Sequence, residues 1–155
     1  MRYQSDVTDS QWESLKDYFS VGKYGNRRIH PVREMVNAVF YVIKSSCQWR
    51  MLPKDFPPFS AVFAFYNRCK SREIWEKIRD DLVTEDRLRQ GRNASPSLAI
   101  IDSQSVKTTG ALECRGIDGG KKIKGRKRHI AVDADGHLLH IKVHAANTHD
   151  IDKLL

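Results

Sequence analysis

The chain has 155 residues, which suits one ordinary domain or two small ones. Its hydrophobic content of 40% permits a core, but its apolar runs are short and interrupted by Arg or Lys, which argues against a membrane span and for a soluble protein. The net charge of +8 favours a polyanionic partner such as DNA or RNA, although a merely basic protein would have the same composition. Three cysteines without CxxC spacing, and an N-terminus without an apolar signal segment, fit a reducing cytoplasm.

The first 90 residues have helical periodicity. Thr8 and Gln11 form a capping-box pattern, which predicts a helix that begins there and ends near Ser20. Further helices are predicted over 31–46, over a short stretch after Ser60, and over 72–90. The residues expected to face the core are Trp12, Leu15, Tyr18, Phe19, Met35, Val36, Val39, Phe40, Ile43, Ile74, Trp75, Ile78, Leu82 and Val83. Trp49, Phe56, Phe59, Phe63 and Phe65 are expected to pack in the core rather than to stack on bases.

The period changes from helix to strand after a linker at residues 91–96. Strands are predicted over 98–106, 127–133 and 137–144, and Ala134-Asp135-Gly136 predicts a tight hairpin between the last two. The sequence therefore predicts a helical domain over 1–90 and a sheet domain over 97–155, in an α+β or α/β arrangement. Three strands are only part of a domain, so we expect an incomplete sheet.

Asp102 stands out because it follows the apolar run from Leu98 to Ile101. Strand alternation places Asp102 on the same face as Leu98 and Ile100. A buried carboxylate would require a cation, hydrogen-bond donors or a metal ion. A structural Asp at the end of a strand is a common alternative, and the residue by itself does not decide between the two.

A cluster of cations between Lys121 and Arg128 predicts a phosphate-binding loop, because each neutralised phosphate releases counterions. A solvated loop is the alternative. A smaller patch, Arg27 and Arg28, precedes the second helix and is as compatible with DNA contact as with simple solvation. The cations of the larger cluster are Lys121, Lys122, Lys124, Arg126, Lys127 and Arg128.

Three motifs together resemble a known family. The strings CQWRMLP, DSQSVKT and GGKKIKGRKRHI occur in this order, and the chain from Thr8 to Leu155 resembles bacterial insertion-sequence transposases of the IS-four/IS-five group. The resemblance implies an N-terminal helical DNA-binding domain, followed by the start of an RNase H-like DDE catalytic domain. It also implies binding to the terminal inverted repeats of the element, with a homodimer in the transposition complex, in the bacterial cytoplasm at the nucleoid.

The resemblance also implies a mechanism for Asp102. Such enzymes hold divalent metals, Mg²⁺ or Mn²⁺, on two Asp and one Glu for phosphoryl transfer. Asp102 matches the first Asp and becomes the expected catalytic and metal-binding residue. The segments that carry the second Asp and the Glu do not occur in this sequence. Asp150 comes one strand too early for the second Asp and is kept as a site-lining residue, with Asp133 a weaker candidate.

Two functions follow as alternatives. The chain is either an N-terminal portion of a DNA transposase, inactive alone because it has one of the three carboxylates, or a non-catalytic DNA-binding regulator of transposition. A first reading frame completed by frameshifting and a decayed copy of the gene both fit a short chain. An independent RNase H-like nuclease is less favoured, because the later carboxylates are missing.

Overall fold

The computed structural model describes residues 2–20, 29–108 and 115–148. Helix α1 spans Asp9–Leu15 and continues as a 3₁₀ turn over Lys16–Phe19. The capping box is present, since the Thr8 hydroxyl accepts from the Gln11 backbone N–H at 3.2 Å and the Gln11 side chain accepts from the Thr8 N–H at 2.9 Å. The predicted helix start is therefore confirmed, together with its physical cause.

Three longer helices follow. Helix α2 spans Val32–Ser45, α3 spans Phe59–Ser71 and α4 spans Ile74–Arg89, with a second 3₁₀ turn over Trp49–Met51 between α2 and α3. None of the helices in the described part of the chain is long and apolar enough to cross a membrane. Proline residues between α2 and α3 interrupt the helical path, as the sequence predicts.

The chain divides into two compact units, Met1–Ile78 and Arg79–Leu155, and the division falls inside α4. The first unit contains the hydrophobic core, to which α1, α2, α3 and the beginning of α4 contribute. Its aromatic rings make edge and stacked contacts, for example Phe19 with Trp75 at a centroid separation of 5.6 Å. The buried residues of this core are Val7, Leu15, Phe19, Met35, Val36, Ala38, Val39, Phe56, Val62, Phe65, Cys69 and Ile78.

Four residues predicted to face the core are exposed: Ile43, Leu82, Phe59 and Phe63. Ile43 is 62% exposed, whereas Val42 is buried and extends the stripe that includes Met35 and Val39. Ile43 follows Val36 by seven positions, so its spacing is also that of an apolar stripe; it lies at the margin of the stripe, where the core of the first unit does not cover it.

Leu82 is 45% exposed, because it lies beyond the part of α4 that packs on the core of the first unit. Phe59 is 40% and Phe63 43% exposed, because their rings pack against Arg50 and Trp49, respectively, outside the buried core.

The second unit contains a four-stranded sheet. Its strands are β1 at Ile100–Lys107, β2 at Gly116–Asp118, β3 at Ile123–Val132 and β4 at Leu138–Ala145. Every pairing among them is antiparallel, and β3 is central because it pairs with the other three strands. With the preceding helices, this α+β arrangement is consistent with an RNase H-like domain.

The strands differ from prediction in number and extent. Strand β2 was not predicted, and β3 begins at Ile123 instead of Lys127. The cation cluster predicted as a loop therefore lies mostly within a paired strand. The hairpin between β3 and β4 is confirmed: Gly136 has φ +86°, and its N–H donates to the Asp133 carbonyl at 3.1 Å.

Candidate DNA-processing site

Asp102 lies in the first half of β1 and is exposed. It pairs directly with Ile130 of β3, and two positions further along β1 Gln104 pairs with Arg128. Directly opposed residues in antiparallel strands place their side chains on the same face of the sheet. Ile100 is on this face too, as strand alternation predicts, although it is 52% exposed.

Two arginines share this face with Asp102. Arg128 is opposite Gln104, and Arg126 is opposite Val106, so both belong to the side of β3 that Ile130 also occupies. Arg128 is therefore a diagonal neighbour of Asp102, and diagonal neighbours lie about 7–8 Å apart, within reach of a long side chain such as that of arginine. Lys124, another exposed residue, follows the same alternation. A face of this sheet thus combines a carboxylate with several cations.

Lys127 is on the opposite face and is buried. Its Nζ lies 3.3 Å from Oδ2 of Asp118 and donates to the Thr148 carbonyl at 3.3 Å. The Ser105 hydroxyl donates to the same Asp118 oxygen at 2.5 Å. Lys127 is therefore engaged inside the protein, and the interpretation of the whole cluster as a phosphate-binding surface now depends on its other members.

Asp118 is held in its ionised form. The hydrogen bond from Ser105 and the backbone N–H of Lys121 lower its pKa well below the usual range, despite the opposing effect of burial, and Lys127 adds to the lowering. The backbone N–H groups of Gly120 and Lys121 both donate to Oδ1 at 3.1 Å. Asp118 thus stabilises the turn that leads into β3.

Lys121 and Lys122 lie in that turn, between β2 and β3, and both are exposed. The Lys121 ammonium donates to the Ser103 carbonyl of β1 at 2.9 Å. Lys122 has φ +53° and adopts the left-handed conformation. Arg27, Arg28 and Asp150, the remaining predicted site residues, lie outside the described residues.

Asp133 is at the end of β3 in a different setting. Its Oδ2 accepts from Arg87 at 2.5 Å and lies 3.1 Å from Nδ1 of His137. Its Oδ1 accepts from the backbone N–H groups of Asp135 and His137, each at 2.9 Å. Both Asp133 oxygens are thus occupied by hydrogen bonds that fix the hairpin and attach it to α4.

His137 bridges two carboxylates, because its Nε2 lies 2.9 Å from Oδ2 of Asp86. Hydrogen bonding to Asp133, with a further contribution from Asp86, raises the pKa of His137 against the opposing effect of burial. Burial would raise the pKa of Asp133, but the bonds from His137 and Arg87 prevail and lower it well below its usual range.

A metal ion could be held by only one compact group of side chains in the described part of the chain: Asp133, Asp135 and His137. The fit is poor, because the Arg87 guanidinium already occupies an Asp133 oxygen and its charge opposes that of a cation. Asp102 is accessible but has no second carboxylate beside it on its sheet face among the described strands. The described residues by themselves therefore do not form a two-metal site.

Sequence reasoning missed Arg87 and Asp118 and gave His137 only an ordinary surface or packing role, whereas all three are held in specific polar contacts. Asp118 had a local signal, because an Asp before Gly119-Gly120 is typical of a turn in which the side chain accepts backbone N–H groups. The pairing of Arg87 with Asp133 spans 46 residues and has no local signal.

Comparison with protein families agrees with this geometry. Residues 93–155, which include the whole sheet, match the family described as "Transposase DDE domain". This defines the second unit as part of a DDE-type transposase. Residues 7–79 match the family described as "Putative transposase of IS4/5 family (DUF4096)". The chain belongs to the insertion-sequence transposases of the IS4/5 group. No curated protein and no solved structure matches it.

Proposed function

We propose that this chain binds the terminal inverted repeats of an insertion sequence and contributes Asp102 to metal-dependent cleavage and joining of DNA strands. The observation that carries the proposal is the sheet face on which Asp102, Arg126 and Arg128 lie together. Guanidinium groups bind phosphate oxygens, and an exposed carboxylate beside them binds a cation that meets the same phosphate.

A divalent ion is the cofactor that the DDE family implies, and Mg²⁺ or Mn²⁺ suits a carboxylate ligand. When bound, such an ion stabilises charge on the oxygens of the phosphoryl group under attack. The role of Asp102 is to supply a ligand from a rigid strand. Arg126, Arg128 and Lys124 would position the DNA backbone across the face, with Lys121 and Lys122 extending the contact into the adjoining turn.

The isolated chain is expected to bind DNA without cutting it, because the described residues provide a single carboxylate on that face. The test incubates the purified 155-residue chain with duplexes from the DNA that flanks its gene, with Mg²⁺ or Mn²⁺. Salt-sensitive binding without strand cleavage is the expected result. Cleavage that disappears in Asp102→Ala would overturn the expected inactivity and would still support the role of Asp102. An absence of DNA binding would overturn the proposal.

A non-catalytic regulator of transposition is the second candidate. The same observation favours it, because cations without a complete set of metal ligands suffice to occupy DNA ends. Co-expression of this chain with an active transposase of the same element distinguishes the two. A regulator lowers the transposition frequency, and it does so equally with Asp102→Ala, since Asp102 has no part in occupying the ends.

The domain organisation, the cellular setting and the oligomeric state belong to the same proposal. A helical DNA-binding domain over 1–90, a linker over 91–96 and a catalytic domain from 97 fit an enzyme that binds element ends with one part and processes them with another. A homodimer would bring the two ends of an element together. The bacterial cytoplasm, at the nucleoid, is where such DNA is accessible.

A further inference from the structure

We infer that α3 is the helix of this chain that enters the major groove of duplex DNA. The inference rests on the proposed function, because it assumes that the chain binds DNA, and it goes further by naming the contacting helix and its base-reading residue. Three features of α3 support it: its charge, the composition of its outward face, and, among the residues that the structure describes, the absence of competing ion pairs along it.

The charge of α3 differs from that of the other three α-helices in the described part of the chain. Its sequence, FSAVFAFYNRCKS, contains no carboxylate and carries Arg68 and Lys70 in its last turn. Acidic residues occur in the first turn of each of the others, at Asp9, Glu34 and Glu76. A helix in the major groove lies between two phosphate backbones, so a carboxylate-free helix is the best suited to this position.

The inward and outward faces of α3 are distinct. Val62, Phe65 and Cys69 are buried in the core. The opposite side presents small or short polar side chains, all exposed, which allow a groove wall to approach closely. The helix has 13 residues and is about 20 Å long, enough to cross a groove about 12 Å wide. The outward residues are Ser60, Ala64, Asn67 and Ser71.

Asn67 is the residue on this face best suited to read a base. A side-chain amide forms a bidentate pair with adenine in the major groove. The Ser71 hydroxyl already donates to the Arg68 carbonyl at 3.1 Å, so it is engaged within the helix. Phe63, which is 43% exposed beside this face, offers an apolar surface to a thymine methyl group.

The cations of α3 are available for phosphate contacts. Among the described residues, neither Arg68 nor Lys70 pairs with a carboxylate. On α2, by contrast, Arg33 bonds Asp9 at 2.6 Å. The one cation of the first 3₁₀ turn, Lys16, pairs with Glu13. A cation that already neutralises a carboxylate gains less free energy from a phosphate contact. This comparison again favours α3 as the helix that contacts DNA.

The test uses the full 155-residue chain and a pool of short random-sequence DNA duplexes, from which the wild-type chain selects its preferred sequences. Affinities for one selected and one unrelated duplex are then measured over a range of salt concentrations. The variants are Asn67→Ala, with Gln4→Ala as an exposed amide control, and Lys70→Ala, with Lys77→Ala as an exposed cation control. Thermal unfolding confirms that each variant is folded.

Asn67→Ala is expected to weaken binding to the selected duplex by about 5- to 150-fold, and to remove the preference at one adenine. Lys70→Ala is expected to weaken both duplexes and to reduce the log–log salt slope by about 0.9. If the wild-type chain binds but the α3 variants behave like their controls, or if no sequence is selected, the inference about α3 fails and DNA binding remains. If the wild-type chain binds no duplex, the proposed function fails as well.

Discussion

The guanidinium of Arg87, near the end of α4, donates a hydrogen bond to Oδ2 of Asp133, at the end of β3, with an N–O distance of 2.5 Å. Both side chains are almost completely buried. The pair joins a helix to a hairpin 46 residues away. A buried ion pair of this kind is costly to break on one side, because the remaining charge is left without compensation in a poorly solvated site.

Arg87→Met is therefore expected to lower the free energy of unfolding by about 3–5 kcal/mol. Asp133→Asn keeps an acceptor for the turn and is expected to cost less. The double variant should be more stable than the sum of the two losses predicts, because no charge remains unpaired. Urea unfolding of all four proteins measures the coupling, and additive losses would show that the two side chains do not interact.

His137 predicts a dependence of stability on pH. Its folded pKa is raised by Asp133 and Asp86, from an unfolded value of about 6.5. The stabilisation is thus complete below about pH 6.5 and is lost as the pH rises through the folded pKa. The difference in unfolding free energy between wild type and His137→Gln should shrink over that interval. A difference independent of pH would mean that the ring contributes by packing alone.

Lys127 and Arg128 are adjacent in sequence but lie on opposite faces of β3, and they form a matched pair for mutation. Lys127→Met removes the cation of a buried pair with Asp118 and is expected to cost about 3–5 kcal/mol of stability. Arg128→Met should change stability by less than about 0.5 kcal/mol, but it should reduce the salt slope of DNA binding by about 0.9. If the two substitutions had equal effects on stability, the placement of Lys127 and Arg128 on opposite faces of β3 would be contradicted.

Gly125 is the position at which β3 pairs with both β1 and β2, through Lys107 and Gly116. A Cβ built there would collide with the Val106 carbonyl. Gly125→Ala is expected to lower the unfolding free energy by about 1–3 kcal/mol. Gly119→Ala is the control, because a Cβ at Gly119 meets nothing within 4 Å. Similar melting temperatures for the two variants would show that β1 and β3 can separate at little cost.

Asp102→Asn is expected to change stability by no more than about 0.5 kcal/mol, since the carboxylate is exposed on its strand. The same substitution should remove the broadening of amide resonances around Ile101–Ser103 during titration with Mn²⁺, because the amide that replaces the carboxylate is a weaker ligand for a hard cation. Broadening that persists in Asp102→Asn would place the ion elsewhere.

The helical half of the fold was predictable because its signals are local. The capping box at Thr8 and the apolar stripe around Val39 depend on neighbours within one or two helical turns. Exposure at Ile43 was missed because an apolar side chain at the margin of a stripe can be inside or outside, and only tertiary packing decides.

The strand half was predicted less completely for a related reason. Lysines and arginines around Arg126 obscured the period of β3, since a cation in a strand is normally taken as a sign of a loop. The partner that makes a buried Lys127 acceptable, Asp118, precedes it by nine residues and is brought close only by the pairing of β2 with β3. The local pattern singled out Asp102 as a candidate but left a structural role open, and its catalytic role was expected from the family resemblance. The guanidinium groups that share its face follow from the register of β1 with β3.

Side chains along β3 alternate between two faces of the sheet. An insertion or deletion in this strand would therefore alter the structure even where it left the composition almost unchanged. A single residue added before Lys127 would leave the number of positive charges unchanged, yet it would exchange the faces of Lys127 and Arg128. Asp118 would then oppose the wrong side chain, and the face that carries Asp102 would lose Arg128, although it would keep Arg126, which precedes the insertion. The order in which side chains alternate between the two faces of β3 therefore determines the buried pair and the exposed site as much as the identity of the residues does.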